Sequence, residues 1–451
     1  ARAGYIIAYQ DVRGRYMSEG EYVNVRPYIA QKNSPQDIDE ASDTYDTVDW
    51  LVKNVPNNNG RAGLWGISYP GFYAAAGAID AHPALKAVSP QAPVTDWFLG
   101  DDFHHNGAFF LPHAFRFLAQ FGKPRPEPTP KPEPAFDFPT RDGYKFYLET
   151  GPLYNFDEKY LKGEVAFWRE LMQNPNYTEY WKSRALQRSL KSIKPAVMTV
   201  GGWFDAEDVF GPLKVYETIE ATSPGIHNML VMGPWYHGQW AGDDGETLGH
   251  VRFNAKTSLY YREHIEFPFF ERHLKEAGDK KLPEAFVFET GRNQWRMLDS
   301  WPPKDAQKRV FYFRESGALT PGQAPSAAQA FDEYISDPDK PVPYVPFVAL
   351  NMPRSYMVDD QRFAAARPDV LVYQTPEFEE DFTLAGPIRP ILHVSTTGTD
   401  SDFVVKLIDV YPDTYPNPDP NPENVEMSAF QQLVRGEPFR GRFRNSFEKP
   451  E

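Results

Sequence analysis

The chain has 451 residues, 41% of them hydrophobic and 15% aromatic, and carries a formal charge of −15. That is enough apolar surface for two or three cores; the charge would repel a phosphate backbone and argues against nucleic acid as a partner. The absence of cysteine removes disulfides, thiolate metal sites and a cysteine nucleophile, and no apolar run reaches the roughly 18 to 20 residues that span a membrane.

The opening residues, "ARAGYIIAYQ", lack the charged region and cleavage site of a signal peptide. Their apolar run, 4–10, reads as a buried strand. A strand so near the first residue suggests a chain entered partway through a fold. Residues 39–55 follow, with Tyr45, Val48, Leu51 and Val52 at helical spacing. Three further short apolar runs, 62–67, 196–201 and 228–233, read as buried strands. Strands alternating with helices predict a parallel α/β sheet.

Between about 97 and 194 the rhythm breaks into an aromatic-rich, mostly helical stretch. It contains "KPRPEPTPKPEP" (123–134), where every second residue is proline. Such a run neither pairs in a sheet nor continues a helix, and it reads as a stiff exposed loop. The interval 97–194 is therefore a helical cap inserted into a core made of 1–96 and 195–282. From 283 to 451, β-like runs separated by turn residues, among them "EAFVFETG", "RVFYFRES", "DVLVYQTP", "PILHVSTTG" and "DFVVKLIDVYPD", predict a β-sandwich of jelly-roll type. The carboxylates of "YPNPDPNPEN" (415–424) do not match an EF-hand loop, and no internal repeat is present.

Chemistry enters at "GLWGISYPGF" (63–72). A serine at a sharp strand-to-helix turn, flanked by small residues, is the arrangement of a nucleophile elbow. Gly66 precedes Ser68 by two. The position two after it, usually small, is Pro70, followed by Gly71. Proline suits the first turn of a helix because its missing N–H has no intrahelical partner there. The backbone N–H of Tyr69 would face an oxyanion. A serine needs a histidine base oriented by a carboxylate, in the chain order Ser, Asp/Glu, His for this type of sheet. Asp205 just after the run 196–201 and His237 just after 228–233 fill those places. The other nine histidines lie in the cap, at a helix end, in the β region or away from a preceding strand. The alternative is a glycine-rich turn with a bystander serine.

Several blocks together resemble a known family, the α-amino acid ester hydrolases (β-lactam antibiotic acylases), related to cocaine esterase and the X-Pro dipeptidyl peptidases. They are Gly66-Ile67-Ser68-Tyr69-Pro70-Gly71, "HPALKAVSPQAPVTDWFLGDDFHHNGAF", "WFDAEDVFG", "VMGPWYHG" and "HVSTTGTDSDFVVKLIDVYPD". The resemblance implies an α/β-hydrolase core with an inserted cap and a C-terminal jelly roll. It also implies a triad of Ser68, Asp205 and His237, and a substrate-ammonium site formed by Asp102, Glu207 and Asp208. By it, the reaction is acyl-enzyme hydrolysis or acyl transfer on esters and amides of α-amino acids, including α-amino β-lactam antibiotics. No metal or organic cofactor is called for, and the protein is expected to be a secreted or periplasmic homotetramer. In that family a tyrosine from a loop well before the nucleophile completes the oxyanion hole. No position here matches it, and the jelly roll is expected to run on beyond the last residue, so the chain reads as shortened at both ends.

Other readings remain open on the residues alone. Glu207 and Asp208 suit the first turn of a helix, and Asp101-Asp102 suits a solvated loop. An X-Pro dipeptidyl peptidase or a cocaine-esterase-like acyl esterase would use the same triad, and an inactive relative could bind partners through its jelly roll.

Overall fold

A computed structural model describes residues 3–277, 282–324 and 331–451. Its centre is a six-stranded sheet of β1 (Ala62–Ile67), β2 (Leu85–Gln91), β3 (Ala196–Gly202), β4 (Asn228–Gly233), β5 (Ala285–Glu289) and β6 (Gln294–Leu298), in that spatial order. The first five run parallel and β6 returns antiparallel to β5. Strands buried on both faces need apolar residues at consecutive positions. Accordingly, Val88 and Val197 enter one core while Ala87 and Met198 enter the other.

Helix α1 (Glu40–Asn54) begins with a capping box in which the Asp39 side chain accepts from the Ser42 N–H and the Ser42 hydroxyl accepts from the Asp39 N–H. It packs with α2 (Tyr69–Gly77) on the first face of the sheet. The second face is covered by Tyr261, Ile265, Phe269 and Leu274. The helices between β2 and β3, among them α3 (Leu111–Phe121), gather around Phe115, whose ring contacts Phe136, Phe146, Phe156 and Trp168. Proline-rich 123–134 has no regular structure and is mostly exposed.

The C-terminal part holds two antiparallel ribbons, β7 (Phe311–Phe313) with β8 (Leu319–Pro321), and the longer β9 (Asp402–Val410) with β10 (Gln431–Arg440). The chain thus has an α/β-hydrolase core, a helical insertion and a C-terminal β region.

Two expectations need correction, and one run takes a place that its sequence does not show. The run 285–289, the first β-like run of the segment 283–451, is a strand of the central sheet. Ala285 through Phe288 are all buried, the mark of a strand covered on both faces. Residues 4–10, read as a buried strand, form no strand, and Ile6, Ile7 and Tyr9 are exposed. The runs 369–376 and 390–398 form no strand; in the first, Gln374 makes an isolated bridge with Ala318. Apolar alternation expresses a preference for extended backbone, but a strand exists only where a second backbone lies alongside it.

Candidate active site

The register aligns the C-terminal ends of three strands. Ile67 lies beside Gln91, Gln91 beside Val200, and Val200 beside Val231. Ser68, Asp205 and His237 each follow one of these strands by a few residues, so all three emerge at one edge of the sheet.

Ser68 occupies a strained left-handed conformation, φ 68° and ψ −128°, between β1 and α2. The glycines explain how that turn closes. A Cβ on Gly66 would stand 2.3 Å from the carbonyl oxygen of Pro70, and one on Gly71 would stand 2.4 Å from that of Gln91. Pro70 lies in the first turn of α2, where no N–H is missed. The displaced glycine is therefore set by the approach of the helix to β2. Tyr69, first residue of the helix, has a backbone N–H with no intrahelical acceptor. Its buried side chain points the other way, and its hydroxyl accepts the Val25 N–H at 2.7 Å.

His237 and Asp205 meet directly, with Nδ1 2.8 Å from Oδ2. The other oxygen of Asp205 accepts the N–H groups of Glu207 and Asp208, at 2.8 and 2.9 Å. Burial disfavours charge on Asp205, yet His237 and these amides hold its pKa below the ordinary carboxylate range. Burial also opposes charge on His237, but Asp205, Glu207 and Asp102 outweigh it and push the pKa up to about 10. The far nitrogen, Nε2, is buried without a hydrogen-bond partner among the described residues and lies 3.7 Å from Glu207 Oε2. A Cβ on the next residue, Gly238, would stand 3.7 Å from the side chain of Ile67, the neighbour of Ser68. No hydrogen bond joins Ser68 Oγ to His237 among the described residues.

The three carboxylates named from the resemblance converge on this point. Asp102, itself at a positive φ of 48°, donates its N–H to the Glu207 carbonyl oxygen. Its side chain accepts from Trp97 Nε1 at 2.8 Å and lies 3.0 Å from His113 Nε2. Asp101 is fully buried and structural: it accepts the N–H groups of Thr95, Asp96 and Gly211. The solvated-loop reading of this pair thus does not hold. Nor does the helix-turn reading of Glu207 and Asp208, since their helix starts only at Phe210.

Asp208 is wholly buried, and neither of its carboxylate oxygens has a hydrogen-bond partner among the described residues. Burial first, then Asp102, Asp101, Asp205 and Glu207, raises its pKa well above the ordinary range.

Sequence reasoning missed His113, on α3 in the insertion. Burial lowers its pKa, but Glu207 and Asp102 more than compensate and raise it above the ordinary imidazole value. Asp102, His113 and Glu207 bring ligand-type atoms within 4.8 Å of one another. Because the His113 nitrogen donates to Asp102, these two side chains are already joined by a hydrogen bond. Also missed were Arg435 and Glu437 of β10. Arg435 Nη1 donates to the Asp205 carbonyl oxygen at 2.7 Å, and Glu437 meets His105 Nδ1 at 2.8 Å. No local sequence signal marks partners so far apart in the chain.

Comparison with known proteins agrees with this architecture. Residues 1–239 match the X-Pro dipeptidyl-peptidase (S15 family), and residues 277–443 match the X-Pro dipeptidyl-peptidase C-terminal non-catalytic domain. The cocaine esterase of Rhodococcus sp. (strain MB1 Bresler) is 27% identical over 435 residues, which cover 91% of this chain and 71% of that one. Among solved structures, an aminopeptidase from a marine sediment archaeon (Thaumarchaeota archaeon) has a TM-score of 0.89 at 36% identity. An α-amino acid ester hydrolase has a TM-score of 0.89 at 34% identity. Each alignment covers 100% of this chain and 73% of the other. With the family match spanning more than half of the sequence, the chain belongs to the X-Pro dipeptidyl-peptidase (S15) family of serine-hydrolase-type esterases and peptidases.

Proposed function

We propose that the protein hydrolyses esters and amides of α-amino acids through an acyl-enzyme. Ser68 Oγ attacks the carbonyl carbon while His237 Nε2 takes its proton. The Tyr69 N–H donates to the oxyanion. Collapse of the tetrahedral intermediate breaks the bond to the alcohol or amine, which leaves with the proton from His237. Water then attacks the acyl-enzyme by the same route and releases the amino acid; an amine in place of water gives a new amide. Asp205 holds His237 in the tautomer that leaves Nε2 free.

The observation that carries this reading is the juxtaposition of the His237–Asp205 pair with Asp102, Glu207 and Asp208. Carboxylates beside a general base suit a substrate that brings its own cation next to the scissile carbonyl, because charge-assisted hydrogen bonds offset desolvation of the ammonium. The similarity to an aminopeptidase supports the amide branch, and the similarity to an α-amino acid ester hydrolase supports the ester branch. Action on α-amino β-lactams extends the same chemistry.

The test compares kcat/KM for phenylglycine methyl ester and phenylacetic acid methyl ester, which differ in the α-amino group. We expect a strong preference for the amino ester that is lost on neutralising Asp102, Glu207 or Asp208. Equal turnover of the two esters would leave a serine esterase without an ammonium site.

A further inference from the structure

We propose that Arg435 and Glu437, on β10 of the C-terminal region, are positioning residues that brace the acid loop 205–208 of the hydrolase core. The inference rests on the reading of Asp205 and His237 as the base pair for Ser68.

The loop has an inherent difficulty. Asp205, Glu207 and Asp208 crowd three carboxyl groups into four residues, and their mutual repulsion favours spreading the backbone. Asp205 can orient His237 only if that backbone stays put. Its side chain gains local support from the Glu207 and Asp208 N–H groups. These bonds are internal to the loop and would travel with it.

External restraint falls on the two backbone carbonyls that flank the loop. Arg435 Nη1 donates to the Asp205 carbonyl oxygen at 2.7 Å. The Glu207 carbonyl oxygen lies 3.2 Å from His105 Nε2 and also receives the Asp102 N–H at 3.2 Å. His105 Nδ1 lies 2.8 Å from Glu437 Oε2, and the ring, only 2% exposed, stacks on Phe110. Glu437 Oε1 accepts from Arg435 Nε at 2.8 Å and also pairs with Nη2. One carboxylate on β10 thus fixes both donors: the guanidinium that holds one end of the loop and the imidazole that holds the other. A carbonyl oxygen only accepts, so His105 Nε2 is a donor. Although burial favours the neutral acid, Arg435 and His105 bring the Glu437 pKa down to about 2, so Glu437 is an acceptor at any working pH. Charge-assisted bonds of this kind are stronger than neutral ones and fix direction as well as distance.

None of these residues touches the reacting atoms. Their loss should let Asp205 drift from His237 Nδ1, which costs turnover but leaves substrate binding largely intact. Misplacement of a catalytic group by about 1 Å costs up to about a hundredfold.

The experiment uses the whole chain, with Arg435→Ala, Arg435→Lys and Glu437→Gln beside Ser68→Ala. It reads kcat and KM for phenylglycine methyl ester, the acid limb of the kcat/KM profile, and the unfolding temperature. We expect Arg435→Ala to lower kcat about ten- to a hundredfold with KM within about twofold. Its acid limb should move to lower pH, because His237 loses part of the carboxylate field that holds its proton. Arg435→Lys, which keeps a donor, should recover most of the loss, and Glu437→Gln should fall between the two. If Arg435→Ala does not fold, the milder Glu437→Gln decides by the same readouts. A lower unfolding temperature with unchanged kcat and acid limb would overturn the proposal while leaving the site reading intact. Turnover surviving Ser68→Ala would overturn the reading of the site and the bracing role with it.

Discussion

His113 Nε2 stands 3.0 Å from Asp102 Oδ1, so a carboxylate proposed to receive the substrate's ammonium already has a hydrogen-bond donor beside it. The same histidine is drawn toward the charged form by Glu207. Placed between Asp102 and Glu207, it limits the repulsion among the acids.

Substitution of His113 should therefore sharpen recognition of the amino group. In His113→Gln we expect KM for phenylglycine methyl ester to fall about three- to tenfold, the scale of about 1 kcal/mol of screened charge repulsion. KM for the des-amino ester should not change. In the unsubstituted protein, KM for the amino ester should fall as pH rises through the His113 titration. Equal shifts for both esters would assign His113 to general packing.

His237 gives a second pH signature. Its pKa of about 10 in the free protein means that the base is protonated at neutral pH. An ammonium seated among Asp102, Glu207 and Asp208 opposes retention of that proton. For the amino ester, the acid limb of kcat, which reports the complex, should therefore lie at lower pH than that of kcat/KM, which reports the free enzyme. For the des-amino ester the two limbs should coincide. Coincident limbs for both substrates would show that the ammonium does not activate the base.

Asp208 bears on stability. Its folded pKa is raised, so between the unfolded value, about 4, and the folded one the native state binds more protons. Stability contributed by this group is present at low pH and is lost as pH rises through that window. Asp208→Asn removes the titration and keeps the shape. We expect it to be more stable than the parent near pH 7, by about 1–3 kcal/mol, with the difference shrinking toward pH 4. Denaturant unfolding at pH 4.5 and 7.5 measures it. Stability unchanged at both values would mean that the buried carboxyl carries no such strain.

The elbow yields a packing test. In Gly71→Ala the new methyl meets backbone on both sides, the Gln91 carbonyl oxygen at 2.4 Å and Pro93 Cα at 3.0 Å. A loss of about 3 kcal/mol, the upper end of the usual overpacking cost, is expected together with loss of Ser68 reactivity toward a phosphonate. Pro70→Ala, which only relaxes the first helical turn, should cost about 1 kcal/mol or less. A fully reactive Gly71→Ala protein would show that the close approach of α2 to β2 is dispensable.

How far the sequence speaks for itself depends on the distance between cause and effect. Ser68, Asp205 and His237 each stand within four residues of a strand end, and apolar runs with glycine and proline punctuation are local signals. The place of Asp102 came from a family block, since nothing near it in the chain marks it as buried. His113, Arg435 and Glu437 were invisible because their partners lie on other elements, and a surface-type residue in a loop or strand has the same spelling whether it faces solvent or an acid loop. The place of the run 285–289 in the central sheet is hidden for a related reason. Its uniform burial belongs to a parallel sheet, but the segments that follow it in the chain are β-rich as well.

The bond from Arg435 to the Asp205 carbonyl closes a loop of 230 residues. During synthesis, the serine turn and all five parallel strands leave the ribosome well before β10 does. A nascent chain can therefore acquire helix and sheet while its acid loop is still waiting for β10 to arrive. In refolding from denaturant, helical signal should return ahead of esterase activity, and the interval between them is the time the protein takes to finish its own site.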